Sequence, residues 1–451
     1  MSRLVSRPLL LVALLAFAAG CALPGGPAES GAGKRAPVPE LAPDQHVSIV
    51  WETYNAADQG SATVEKLVRR FEELNPNIDV TVQPPRGGPT EFTQSVHRQV
   101  VAGNPPDVAQ LVFGDLRFVA SDLGAQPLAE LFGEDAVKQH LNSGEHPYHP
   151  RAAVLGDLDG ITYGIPYVVS TPVLFYNADL FRAAGLDPAH PPTNWAQVRE
   201  AAVAISKATD AGGIYAGCVE VGNDWCLHGI LNSNGGQALS EDGTKLTWAD
   251  PSSVEAVATL QGLVQAGPDV FPNITSKDAL DRFSRGNLGM VLNSSALQFT
   301  FLKASKGAFE LGLTGMPGFG DKPSSPTNSG AALFIMAKDP AKQRASWELI
   351  KFLTSPEAQT ILTENIGYVP LRSTLIKDPQ YLRPFTEAQG GLVEPNVAQL
   401  DRLEPWPSFS GPNYDQIRRL LMAAVSEVVF RGADPTVTLQ IAQDRAEKLM
   451  R

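Results

Sequence analysis

Five aromatic side chains, Trp51, Tyr54, Trp225, Tyr368 and Trp406, lie at or near the ends of expected strands and helices. A flat ring in such a place suits the apolar face of a sugar or the carbon chain of a polyol, while polar neighbours meet the hydroxyls. Burial in a core is the competing role for each of them, and most plainly for Trp51. Trp225 in "NDWC" and Tyr368 in "GYVPL" stand in turn-like rather than periodic surroundings, which favours them as contacts. Trp406 sits in "EPWPSFSGP", a loop held by its two flanking prolines.

Cys218 and Cys226 are two of the three cysteines in the chain, eight positions apart in "GCVEVGNDWCL". In an oxidising compartment the pair can form a lasting disulfide that braces the turn "VEVGND" and the adjacent Trp225. Two buried thiols are the alternative, since cysteine is also a small hydrophobe. The absence of histidines at ligand spacing argues against zinc. Of the seven histidines, His46, His97, His140, His146, His149, His190 and His228, only His146 and His149 form a tight pair, in "HPYHP". The helix-borne metal motif with its glutamate is absent, and so is the "GxSxG" nucleophile elbow. A carboxylate pair for glycoside cleavage is set by tertiary separation, so an exported glycoside hydrolase stays open on these residues alone. A purely structural or adhesive role is the other reading to weigh.

The compartment follows from the N-terminus. In "MSRLVSRPLLLVALLAFAAG", Arg3 and Arg7 precede an apolar run from Pro8 to Ala19 that is short for a membrane span. Ala18, Ala19 and Gly20 then lead into Cys21, which resembles a bacterial lipobox with Ala18 in the usual place of leucine. Lipidation of Cys21 is expected; an ordinary secretory peptide cut nearby is the alternative. Residues 22–45, rich in Pro, Gly and Ala, carry no apolar periodicity and read as a tether. Loss of residues 1–20 removes Arg3 and Arg7 and leaves 34 basic against 48 acidic side chains, a net of −14. Such a balance offers nucleic acid no positive face.

The body that follows is too long for one ordinary core, so two lobes are expected. "HVSIVWETYN" reads as a strand. In the next stretch Val64, Leu67, Val68, Phe71 and Leu74 fall at helical spacing, Asn75-Pro76 ends that helix, and "IDVTVQ" is a second strand. Strand, helix, strand opens an α/β layer. "PDVAQLVF" and "ALFIMA" read as buried strands, and residues 172–176 as another. Asp339-Pro340 and Asp434-Pro435 begin helices with an aspartate cap and proline in the first turn. A further helix starts near Thr193 or Asn194.

These elements carry a family resemblance. "NPPDV" (104–108), "IPYVVSTPVLFYNADLFRAAGLDP" (165–188), "PPTNW" (191–195), "SGAALFIMAKDP" (329–340), "WELIKFLTSPEAQ" (347–359), "IGYVPLRS" (366–373) and "SGPNYDQIRRLL" (410–421) occur in order behind the lipobox. Together they resemble the extracellular solute-binding proteins (family 1) that serve ATP-driven sugar and glycerol-phosphate importers. The resemblance implies an α/β clamshell of two lobes, with crossings near Tyr167–Val173, Thr327–Ala332 and Tyr368–Thr374. The expected division is a signal peptide at 1–20 and a tether at 21–45. Lobe 1 then takes 46–170 with 330–370, and lobe 2 takes 171–329 with 371–451. It further implies a small polar ligand in the cleft, membrane permease subunits as partners, a lipid-anchored monomer outside the cytoplasmic membrane, and neither cofactor, metal nor catalysis.

The similar subgroup binds glycerol-3-phosphate and glycerophosphodiesters. Its ligand serines match Ser170 and either Ser294 or Ser295, its motif glycine matches Gly330, its tyrosine matches Tyr368, and its phosphate-binding arginine matches Arg418. Two positions depart from it. An early tyrosine falls where Thr90 and Phe92 stand, and a glutamate falls at Phe113, leaving Asp115 as the nearby carboxylate that could replace it. The ligand is accordingly glycerol-3-phosphate or a related diester, with a neutral mono- or oligosaccharide as the alternative.

Overall fold

The computed structural model describes residues 36–56, 60–84, 89–142, 144–389 and 391–450. Cys21, the signal segment and most of the tether lie outside the described residues. The described residues form one compact body.

Among the described residues eleven strands, in chain order, build two main sheets and a small ladder. The first sheet contains β1 (Val47–Glu52), β2 (Ile78–Gln83), β3 (Val108–Val112), β6 (Gly164–Ser170) and β11 (Ser329–Ile335), in the order β2-β1-β3-β11-β6. Here β1 runs parallel to β2 and β3, while β11 is antiparallel to β3 and β6. The second contains β7 (Pro172–Asn177), β8 (Gly212–Ala216), β9 (Leu288–Ser294) and β10 (Leu311–Gly315), ordered β10-β7-β9-β8. β4 (Asp157–Leu158) and β5 (Ile161–Thr162) pair as a short hairpin. Between β6 and β7 only Thr171 intervenes, so the chain passes from one sheet to the other in one residue; residues 316–328 carry it back from β10 to β11.

Local chemistry accounts for the elements. β3 is buried along its whole length, as a central strand covered on both faces must be. Helix Ser61–Leu74 buries Val64, Leu67, Val68 and Phe71, the stripe expected from the spacing. Leu74 does not follow them: it is exposed in the last turn, where Asn75 takes over and donates its backbone N–H to the Phe71 carbonyl. Asp339 and Asp434 each accept a backbone N–H from three residues on, Lys342 and Val437, with proline in the first turn. Asn194, the expected start, caps helix Trp195–Ala208 through Gln197.

The tether expectation needs a correction at its C-terminal end. Val38 is buried and donates its N–H to the Leu131 carbonyl, while Arg344 donates to the carbonyls of Val38 and Pro39 and pairs with Glu40 at 3.0 Å. Val38 to Glu40 therefore dock onto the packed body ahead of residue 46. The apolar count of residues 36–45 is too low to reveal this; a buried arginine three hundred residues away supplies the contact. No helix among the described residues is long and apolar enough to cross a membrane.

Candidate functional site

Where the two sheets face each other lies a cleft of about 490 Å³. Its walls come from strand ends on both sides: Val112, Ser170, Ser329 and Gly330 from the first sheet, Asn293 and Ser294 from the second. This is the expected place for a ligand in an open α/β fold, outside the strand termini. Larger grooves exist, one of about 740 Å³ around Asn104 and Asp107, but it is lined by the first-sheet half alone.

The aromatic candidates divide. Tyr54, Trp225, Tyr368 and Trp406 line the cleft. Tyr54 stands in a 3-10 turn following β1, its ring edge-on to Phe92 at 6.0 Å. Tyr368 follows Gly367, the left-handed cap (φ 91°) of helix Pro356–Ile366, and its hydroxyl donates to Asn55 Oδ1 at 3.4 Å. Burial pushes the Tyr368 phenol up to about 12 and, aided by Tyr368, raises Tyr54 well above its ordinary value, so both stay neutral donors. Trp51 is a correction: it is wholly buried on β1, edge-on to Tyr167, and belongs to the core. A strand-end aromatic shows its type in the sequence but not which sheet face it takes.

Ser170 and Ser294 end β6 and β9 opposite each other, with Ser294 Oγ donating to Ser170 Oγ at 2.8 Å. Ser295, the alternative to Ser294, is fully buried and serves the crossing instead, exchanging hydrogen bonds with Thr171. Gly330 lies beside the pair on β11 with φ 111°.

The cysteine pair is a disulfide, with Cα atoms 4.8 Å apart, inside the roughly 4.4–6.8 Å span that a bridge allows. It ties the turn Gly217–Val219 to helix Asp224–Ser233. Closing so short a loop stabilises by about 2–3 kcal/mol, chiefly through the unfolded chain. Between the cysteines lie Val221, Gly222, Asn223 and Trp225, all on the cleft wall, and Asn223 Oδ1 accepts from the Trp225 indole at 3.3 Å.

On the same wall Arg418 lines the cleft and is held by two carboxylates. Its Nε and Nη2 donate to the two oxygens of Asp224 at 2.9 and 2.8 Å, and Nη1 donates to Asp115 at 3.1 Å. The Trp406 ring covers the guanidinium at 4.5 Å, while its indole N–H donates to Asp224 at 2.8 Å. Asp115, expected to meet ligand hydroxyls in place of the missing glutamate, is wholly buried and is instead a counter-ion of Arg418. The carboxylate that does line the cleft is Glu91, in the first turn of helix Pro89–Val101 between the two residues that depart from the subgroup. Asn223, Asn293, Ser329 and Arg419 also line it. Asn223 and Asn293 adjoin residues singled out in the sequence; nothing in the sequence marked Glu91.

Burial opposes the charge of Arg418, but Asp224 and Asp115 hold its pKa above the ordinary value. Burial also works against ionised Asp224, and the Arg418 fork overcomes it, bringing the net shift down. Asp115 receives one Arg418 bond rather than two, and burial takes it up to about 6. His228, whose Nε2 lies 3.9 Å from Asp224, is brought down to about 4 by burial despite that carboxylate. Burial, with help from Arg372 and Lys351, brings His140 down to about 3.

These shifts set a pH dependence. Below about 6.5, the ordinary histidine pKa, the unfolded chain takes up protons at His140 and His228 that the folded chain refuses, so stability falls with pH. Asp115 acts oppositely between about 6 and its unfolded value near 4, because its folded form takes the proton first. His140 and His228, joined at the acid end by Asp224 held low by Arg418, outweigh Asp115 and the burial-raised Asp157, giving a net loss on acidification from 6.5 to 4. Urea midpoints at pH 7, 5.5 and 4 should decline in that order, and His140→Gln should flatten the decline; an acid-stabilised wild type would contradict this.

Among the described residues no group of three or more His, Cys, Asp or Glu side chains is arranged to hold a metal ion. What the cleft presents is flat rings, hydroxyls and amides facing inward from two lobes, which is equipment for holding a polyhydroxylated solute.

Comparison with known proteins agrees with this geometry. The family model described as "Bacterial extracellular solute-binding protein" matches residues 55–360, more than half the chain. The sn-glycerol-3-phosphate-binding periplasmic protein UgpB of Salmonella typhimurium is 24% identical over 404 residues, covering 86% of this chain and 89% of that protein. Among solved structures, UgpB from Mycobacterium tuberculosis in complex with glycerophosphocholine superposes with a TM-score of 0.76 at 21% identity, covering 90% and 98% of the two chains. The cyclic alpha-maltosyl-1,6-maltose binding protein from Arthrobacter globiformis gives 0.75 at 18%, covering 90% and 99%. The fold is thus the two-lobed α/β fold of the periplasmic solute-binding proteins.

Proposed function

The chain belongs to the bacterial extracellular solute-binding proteins, and from that premise we propose that it captures a small polyhydroxylated solute between its lobes and delivers it to the permease of an ATP-driven importer. The observation that supports this most is the cleft itself, where Trp225, Tyr368 and Trp406 line the same cavity as the Ser170–Ser294 pair that joins the two sheets. The lobes divide near Thr171, with the first sheet in one and the second in the other, and a ligand touching both walls favours the closed arrangement. Cys21 carries the lipid anchor that holds the monomer outside the membrane, and the protein performs no catalysis.

Net-neutral solutes, a mono- or oligosaccharide or a zwitterionic glycerophosphodiester, fit the cleft best, since its arginine is already paired with carboxylates. Glycerol-3-phosphate is the second reading, favoured by the position of Arg418 on the cleft wall. Calorimetric titration of the full chain with maltose, glycerophosphocholine and sn-glycerol-3-phosphate tests the role. At least one should bind 1:1, and Trp225→Ala or Tyr368→Ala should weaken it about tenfold or more, the loss of roughly 1.4 kcal/mol. No binding by any of the three, or full affinity in both variants, removes the reading.

A further inference from the structure

Arg418 is the residue through which a phosphate would be held, yet three of its five N–H groups already point at protein carboxylates. Asp224 accepts its bidentate fork, the geometry in which an arginine would otherwise receive a phosphate. A third donor, the Trp406 indole, completes the shell of Asp224. Neighbouring Arg419 is also engaged, through Nε to Asp415 at 2.7 Å. Around this end of the cleft two guanidiniums therefore stand against Asp115, Asp224, Asp415 and Glu91. An arriving dianion meets an excess of negative charge rather than a free cationic fork.

Asp224 is also poorly able to step aside. It opens helix Asp224–Ser233 and lies within the loop closed by Cys218–Cys226. A ligand phosphate must therefore displace a carboxylate that is tethered in place, while the ligand is dilute. We propose that Asp224, seconded by Asp115, is the specificity-determining residue of the cleft: it occupies the anion position against Arg418, so the protein selects net-neutral polyhydroxylated solutes over phosphomonoesters. This rests on the reading of the cleft as the binding site.

The test compares wild type with Asp224→Asn, which keeps shape and removes one charge while Asp115 still pairs with Arg418. Each is titrated with maltose, glycerophosphocholine and sn-glycerol-3-phosphate. Wild type should bind at least one of the first two about tenfold or more tightly than sn-glycerol-3-phosphate. In Asp224→Asn the ratio should move about tenfold toward sn-glycerol-3-phosphate. A folded Asp224→Asn with an unchanged ratio overturns the proposal. Should the variant not fold, the wild-type ranking decides: sn-glycerol-3-phosphate as the tightest of the three refutes the role of Asp224 while leaving the binding function intact. Binding by none of the three fails the cleft reading, and the proposal with it.

Discussion

Arg418→Ala should lose about 3–5 kcal/mol of folding stability before any ligand is added, the usual consequence of stranding a buried charge partner. Asp224 and Asp115 are both essentially inaccessible to water, and Arg418 is their shared cation. Removing it leaves two carboxylates facing each other without compensation, and uncovers the Trp406 face that the guanidinium packs against. Arg418→Lys should recover only part of the loss, because an ammonium cannot serve both oxygens of Asp224 and reach Asp115 in one plane. Replacing all three charges, with Asp115→Asn, Asp224→Asn and Arg418→Met, should restore more than half of it, since the cost lies in the unpaired charge. Urea unfolding followed by far-ultraviolet circular dichroism measures each. An Arg418→Ala protein within about 1 kcal/mol of wild type would mean that the network is solvated in solution.

That network also marks how far the sequence can be read. Periodicity placed Val64, Leu67, Val68 and Phe71 inside, and Asp-Pro dipeptides placed two helix starts, because both signals are local. Ser170 and Ser294 could be carried over because each ends a strand within a recognisable motif. The guanidinium of Arg418 is plain in the sequence, but its partners lie 303 and 194 positions away, and no local pattern encodes that pairing. The same limit explains Asp115: a carboxylate near the cleft in the chain became a counter-ion in space. Trp51 takes the buried face of β1, which strand alternation decides and the sequence does not show, and Ser295 stands one position past the cleft residue Ser294, beyond the end of β9. Residues 38–40 are a related case, since their docking depends on Arg344 rather than on apolar content of their own.

Gly330→Ala should cost about 3 kcal/mol or more and weaken ligand capture at the same time. Its φ of 111° lies where residues with a Cβ are strained, and an added Cβ would fall 2.0 Å from the Val168 carbonyl oxygen. That oxygen belongs to the backbone of β6, so no side-chain rotation relieves the overlap; the strands must part. The pairing of β11 with β6 is already irregular at the next step, shifting between Ala331 and Ala332 so that Tyr167 is passed over. A displaced β6 carries Ser170 with it, and so disturbs the hydroxyl pair with Ser294 on the other sheet. Gly103→Ala separates the two contributions: its φ of 78° is equally left-handed, but nothing lies within 4 Å of the added Cβ, so the loss there should stay near 1 kcal/mol with affinity unchanged. Urea midpoints and calorimetry with maltose and glycerophosphocholine on both variants give the comparison. Equal losses at the two glycines would show that backbone strain alone is felt at Gly330, and that β6 and β11 have room there which the 2.0 Å approach denies.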